Sequence, residues 1–166
     1  LAGRDGRVMR DSADIFFAIL RAQLDYARAI DDDRLEEWPD FFADDCLYRV
    51  TSATNHRDGL EASIVFANSK GMLRDRVSAL RQANIYERQA YRHILSAPCI
   101  LSQRGEKVQS ETSFIVARIM RDGETGIFAT GRYLDVYGFD HGGLKLFERV
   151  VVCDSSRIDT LLALPL

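Results

Sequence analysis

Residues 108–153, VQSETSFIVARIMRDGETGIFATGRYLDVYGFDHGGLKLFERVVVC, decide the fold. Val108–Met120, Ile127–Tyr137 and Leu144–Cys153 read as long strands, bounded by turns rich in glycine. The runs are parted by Asp122-Gly123 and Gly142-Gly143, where glycine supplies the positive φ that tight hairpin turns demand. Strands joined by loops this short are neighbours, so these segments form an antiparallel meander. His93–Ser102 reads as a further strand ahead of them, turned at Gly105.

Towards the N-terminus the period changes. Asp11 or Ser12 can cap a helix that carries Phe16, Leu20, Leu24 and Ala27 on one stripe, widened by Ile15, Ile19, Tyr26 and Ile30. A face that broad calls for burial against a sheet. Asp31-Asp32-Asp33 ends the helix and can cap a shorter one with Leu35, Trp38, Phe41 and Phe42, which Pro39 breaks into short turns. Residues 46–52 alternate as a half-buried strand, and Ala62–Ala67 is a second short β-branched and aromatic run. Ser69 is placed to cap a helix with Met72, Leu73, Arg76, Val77 and Leu80 on one face. Helices followed by a run of antiparallel strands is the α+β layout, with helices on one face of a curved sheet. Residues 1–10 read as an arm without periodicity and 11–166 as a single domain.

Bulk composition narrows the function classes. The 166 residues can bury a core of their own, and the 28% charged and 46% hydrophobic fractions are those of a globular protein. A net charge of -3 argues against nucleic acid as a partner. No apolar run approaches the roughly 20 residues of a membrane span, and no leader pattern directs the chain out of the cytoplasm. Cys46, Cys99 and Cys153 are odd in number and widely spaced, which suits reduced thiols better than a disulfide framework.

The spacings that announce chemistry are missing. No cysteine has a Cys or His two to four residues away, and His56, His93 and His141 form no close pair. There is no Gly-x-Ser-x-Gly elbow, and the glycines fall in hairpin turns, not between a strand and a helix. A cone closed by helices can still hold a small molecule. Glu111, Asp135 and Glu148 are the strand carboxylates that could act in it as a general base, with Tyr48, Tyr133 or Tyr137 as donors. A free-standing isomerase- or dehydratase-like enzyme, or a ligand-binding module, is therefore the alternative reading.

The remaining feature is Gly71–Ser96, GMLRDRVSALRQANIYERQAYRHILS, with Arg74, Arg76, Arg81, Arg88 and Arg92 and with Arg104 just beyond. Its arginines can make ion pairs inside the monomer, with Asp75 and Glu87 close by. They can equally orient a partner, because Tyr86 and Tyr91 interleave with Arg88 and Arg92, and Arg with Tyr is the composition enriched at interface cores. Arg76, Arg88, Tyr91 and Arg92 are the candidate interface residues.

From Tyr26 to Leu166 the chain resembles the small, or beta, subunits of Rieske-type aromatic-ring-hydroxylating dioxygenases. The resemblance lies in Trp38-Pro39-Asp40-Phe41-Phe42, Asp45-Cys46-Leu47-Tyr48-Arg49-Val50 and Met72-Leu73-Arg74-Asp75-Arg76-Val77. It continues through Ile85-Tyr86-Glu87-Arg88, Tyr91-Arg92-His93-Ile94-Leu95, Val152-Cys153-Asp154-Ser155 and the tail Thr160–Leu166. It implies a cone-shaped fold similar to nuclear transport factor 2 and a non-catalytic structural role. It also implies a large-subunit partner in an α3β3 hexamer, with contacts between small subunits. The Rieske [2Fe-2S] cluster and mononuclear Fe(II) would then sit on the large subunit, with NAD(P)H electrons arriving through a separate reductase. The implied reaction is cis-dihydroxylation of an aromatic carboxylate, terephthalate first, with salicylate-, anthranilate- or benzoate-type acids behind it. No catalytic, cofactor-binding or metal-binding residue of this chain follows from the resemblance.

Overall fold

The computed structural model describes residues 11–82, 89–140, 143–157 and 164–166. The arm 1–10, Arg88 and its neighbours Tyr86 and Glu87, and His141 lie outside the described residues.

Helix α1 (Ser12–Asp31) begins where the Asp11 carboxylate accepts the Ala13 N–H, with Asp14 in its first turn and Arg28 in its last, both favourable to the helix dipole. Its buried face is Ile15, Ile19, Gln23, Tyr26 and Ile30. The stripe expected from hydrophobicity lies to one side of this, and Leu24 and Phe17 are exposed. The reason is Gln23. Its amide donates to Thr112 Oγ1 at 2.6 Å inside the protein, so a polar residue occupies the centre of the face that meets the sheet. Asp33, at φ 57, turns the chain into a 3-10 segment, Leu35–Phe41, that accommodates Pro39 and buries Leu35 and Trp38.

Strand β1 (Phe42–Ser52) is followed by the short helix α2 (Ala53–Arg57) and by β2 (Val65–Ala67), half the length of the run expected there. Ser69 Oγ accepts the Met72 N–H at the start of α3 (Lys70–Gln82), which buries Leu73 and Val77 and leaves Met72 exposed. The remaining strands are β3 (Gln89–Leu95), β4 (Cys99–Arg104), β5 (Lys107–Met120), β6 (Thr125–Asp140) and β7 (Gly143–Cys153). They form one seven-stranded sheet in the order β2-β1-β7-β6-β5-β3, with β4 also on β5.

Two expectations are corrected. The single strand His93–Ser102 is two strands on one side of β5, Leu95 facing Phe114 and Cys99 facing Glu111, because Pro98 has no N–H to give the ladder. The sheet is also mixed, not purely antiparallel. The β5-β6-β7 meander is antiparallel as its turns require, but β1 runs parallel to β7 with Tyr48 opposite Arg149.

The sheet's inner face and α1 enclose an aromatic core. Trp38 packs edge-on to Tyr48 and Phe42, and Phe114 stacks on Tyr133 at 4.6 Å between centroids. Fully burying one such side chain contributes about 1.5–3 kcal/mol. Gly131 permits the closest approach in this core. A Cβ there would run into the Val152 carbonyl and lie 3.0 Å from the Phe114 ring.

Candidate functional site

Strand parity places Tyr133, Asp135 and Tyr137 of β6 on the inner face, with Ser110 and Thr112 of β5, Tyr48 of β1 and Arg149 of β7. Arg149 and Asp135 have no exposed side-chain surface. Arg149 Nε donates to Asp135 Oδ1 and its Nη2 to Oδ2, both at 2.8 Å, the bidentate geometry that best compensates two desolvated charges. The guanidinium carbon lies 4.1 Å from the Tyr26 ring centre and 4.0 Å from that of Tyr133, so the cation is held between two aromatic faces. Nη2 also donates to Tyr137 Oη at 3.2 Å. Burial opposes the charge on Arg149, but Asp135, Tyr137 and Tyr26 together hold its pKa up. Burial raises the pKa of Tyr26, Tyr48, Tyr133 and Tyr137, so all four phenols stay neutral.

This arrangement removes the expected general base. Both Asp135 oxygens accept from Arg149, and Oδ2 also lies 3.4 Å from Gln23 Nε2. A carboxylate so engaged, with no exposed surface, braces structure. Glu111 and Glu148 fall on the opposite, outer face, where Glu111 pairs with Arg132 at 3.8 Å. The three carboxylates are thus not brought together. Tyr48, Tyr133 and Tyr137 are inside, where expected as donors, but they surround Arg149.

The arginine-rich segment divides. Arg81 is an internal brace: Nε and Nη2 reach the Glu36 carboxylate at 2.7 and 2.9 Å, and Nη1 reaches Asp33 at 2.8 Å, tying α3 to the corner after α1. The Arg81 hydrogen bonds lower the pKa of Glu36 to about 2. Arg74 pairs with Asp40 at 3.5 Å. Arg76 is half-buried and Arg92 is exposed, with a 3.8 Å contact to Asp31. Tyr91 is in the core, stacked on Phe128, and Arg88 lies outside the described residues. Of the described candidates, Arg76 and Arg92 keep side-chain surface and Tyr91 does not.

Among the described residues no three His, Cys, Asp or Glu side chains gather as a metal site. The thiols of Cys46 and Cys153 are pushed up to about 11 and about 12 by burial, and Cys99 is exposed on β4. His93, buried, gives Nδ1 to Asp31 Oδ1 at 2.6 Å while its backbone N–H donates to Oδ2 at 2.9 Å. These residues do not fit an iron–sulfur cluster or a mononuclear iron. Sequence reasoning missed Arg149, Gln23 and the Asp31–His93 pair. Arg149 was detectable by parity, since it shares a face with Val151 and Cys153.

Against known proteins, the model of the ring hydroxylating beta subunit family matches residues 25–160. The chain belongs to that family. A terephthalate 1,2-dioxygenase terminal oxygenase component subunit beta 1 from Comamonas sp is 55% identical over 141 residues, covering 85% of this chain and 92% of that one. The anthranilate 1,2-dioxygenase small subunit of Burkholderia cepacia is 38% identical, covering 91% and 94%. A crystal structure from Novosphingobium aromaticivorans, the beta subunit of a candidate aromatic-ring-hydroxylating dioxygenase, superposes with a TM-score of 0.87 at 40% identity, covering 94% of this chain and all of that one.

The fold is thus that of a ring-hydroxylating beta subunit, NTF2-like, with helices on a curved mixed sheet. Beta subunits of oxygenase components pair with alpha subunits, and the oxidoreductase activity is carried by the complex. A beta subunit whose interior is filled by an ion pair and aromatic rings has the construction of a scaffold. No helix among the described residues is long and apolar enough to cross a membrane.

Proposed function

We propose that this beta subunit is the non-catalytic stem of a cytoplasmic Rieske non-haem iron oxygenase that cis-dihydroxylates an aromatic carboxylate, with terephthalate as the substrate. The observation that carries the substrate is the 55% identity to the Comamonas terephthalate subunits. The partner is an alpha subunit in an α3β3 hexamer. That subunit supplies the Rieske [2Fe-2S] cluster and the mononuclear Fe(II), and a transient reductase supplies electrons from NAD(P)H. The engagement of Asp135 by Arg149 supports the scaffold role against a free-standing cone-fold enzyme.

Within this reading Arg76, Arg88, Tyr91 and Arg92 divide the labour of orientation. Tyr91 shapes β3 from inside, Arg92 is available to a partner, and Arg76 and Arg88 serve the alpha subunit or a neighbouring beta subunit. The test is co-expression with the alpha subunit, native mass and terephthalate turnover. Equal numbers of the two subunits, with turnover that needs both, is the expected result. A partner-free chain that turns over a substrate by itself overturns the reading. Arg92→Ala is expected to weaken assembly while leaving the fold of the chain intact, since truncating a central interface arginine commonly costs about 2 kcal/mol or more. Unchanged assembly removes Arg92 from the interface.

A further inference from the structure

An open sheet leaves strands with one unpaired side, and such a side is a template for another chain. β2, at one end of the strand order, is only three residues long. β4 follows Pro98 and pairs with a register shift between Ile100 and Ser102, which spoils the regular row that an added strand needs. β3, at the other end, has neither protection. It is seven residues long and pairs with β5 without a shift.

The parity of β3 shows which of its peptide groups face outwards. The Ser96 N–H donates to the Ser113 carbonyl, so Arg92, Ile94 and Ser96 address β5, and the peptide groups of Tyr91, His93 and Leu95 point away from it. His93 is the middle of that outward row, and its N–H is taken by Asp31 Oδ2 at 2.9 Å. Asp31 Oδ1 takes His93 Nδ1 at 2.6 Å. The His93 side chain has no exposed surface and that of Asp31 only 4%. His93 Nε2 is buried and has no partner among the described residues, so the ring hangs on Asp31.

Asp31 is placed against its own electrostatics. It ends α1, where the helix dipole disfavours an anion, and it is buried. Arg92, 3.8 Å away and largely exposed, offsets only part of that. Just outside, Ile94 of β3 faces Ile115 of β5 and the two are 59% and 41% exposed, an apolar strip that a further strand would lengthen.

We infer that Asp31 is a blocking contact: its carboxylate fills the acceptor position of an incoming strand and keeps the β3 edge closed to a second copy of this chain. A second copy is the fitting intruder because it brings the same edge and the same isoleucine strip. Antiparallel pairing of two β3 strands about a twofold axis would put the blocked His93 N–H at its centre. The contact lies within this chain and does not depend on an alpha subunit.

The experiment is sedimentation of the full chain over a concentration series, for the parent and for Asp31→Leu, with amide exchange read at Leu95. Leucine has a similar size and accepts nothing. Asp31→Leu is expected to self-associate at least tenfold more tightly than the parent, and its Leu95 amide to exchange at least tenfold more slowly once associated. Association no tighter than the parent's overturns the inference. So does association that leaves Leu95 exchange unchanged, because the new contact is then elsewhere, and so does a parent whose Leu95 amide already slows with concentration. Asp31→Asn keeps the size but offers one carbonyl oxygen to two His93 donors, and its affinity is expected to fall between the other two. If Asp31→Leu does not fold, Asp31→Asn is read in its place, and self-association equal to the parent's overturns the inference equally.

Discussion

Two Arg–carboxylate pairs sit on opposite faces of the same sheet and share strand β6 or its neighbours. Arg149–Asp135, on the inner face, is bidentate at 2.8 Å with neither side chain exposed. Arg132–Glu111, on the outer face, is a single 3.8 Å contact with side chains 46% and 35% exposed. The chemistry of the partners is nearly the same, and the solvent separates them. Inside, each charge has given up its hydration and depends on the other, so losing one partner strands the second. Outside, water screens both and the pair is worth little. The inner pair is part of what the fold is; the outer pair belongs to the exposed face of the sheet.

Arg149→Met should give the largest effect, a loss of about 3–5 kcal/mol in denaturant unfolding, because Asp135 is left buried and unpaired. Replacing both residues, Arg149→Met with Asp135→Leu, should recover much of it. If Arg149→Met unfolds no more easily than Arg132→Met, the contrast between the faces is wrong. Gly131→Ala tests the inner face by shape alone and should cost about 1–3 kcal/mol, since the Val152 carbonyl is backbone and cannot swing aside.

The Arg81 brace is an intermediate case, well formed but exposed. With the Glu36 pKa lowered to about 2 from an unfolded value near 4.5, its contribution is complete above about pH 4.5 and fades as the pH falls towards 2. Solvent limits it to less than about 1 kcal/mol. Acid unfolding of Glu36→Gln should lack that part of the slope, and an unaltered slope would remove the brace from the account. The smallest effect is the sharpest probe of sidedness. Arg132→Ala should change stability by no more than about 0.5 kcal/mol. At pH 8 iodoacetamide should modify Cys99 in the native chain and spare Cys46 and Cys153, whose thiols burial holds at about 11 and about 12.

Much of the fold was legible because it follows from local rules. The meander comes from strand-forming runs parted by Gly-containing turns, and the α1 and α3 starts come from Asp11 and Ser69. What hydrophobicity misread is the polar part of the interior. It rotated the α1 stripe away from Gln23, and it treated Glu111, Asp135 and Glu148 as equivalent. Period-two counting would have separated Asp135, between Tyr133 and Tyr137, from the other two. The parallel partner of β1 was beyond local reading, since nothing within residues 42–52 specifies which edge that strand meets. The arginine-rich segment divided for a related reason: composition marks Arg and Tyr as interface-prone, but Tyr91 packs in the core and Arg81 holds Glu36.

The pairing of β1 with β7 also sets an order of events during synthesis. Tyr48 lies opposite Arg149 and bonds Leu166, 118 positions later, while Tyr26 reaches the same carbonyl from 140 positions away. Contacts that distant form late, because the loop between them must close first. While the ribosome is still making the meander, α1 and β1 have no sheet to cover, and their apolar residues are exposed to chaperones and to other nascent chains. The cell therefore receives this subunit almost all at once, when its last strand emerges.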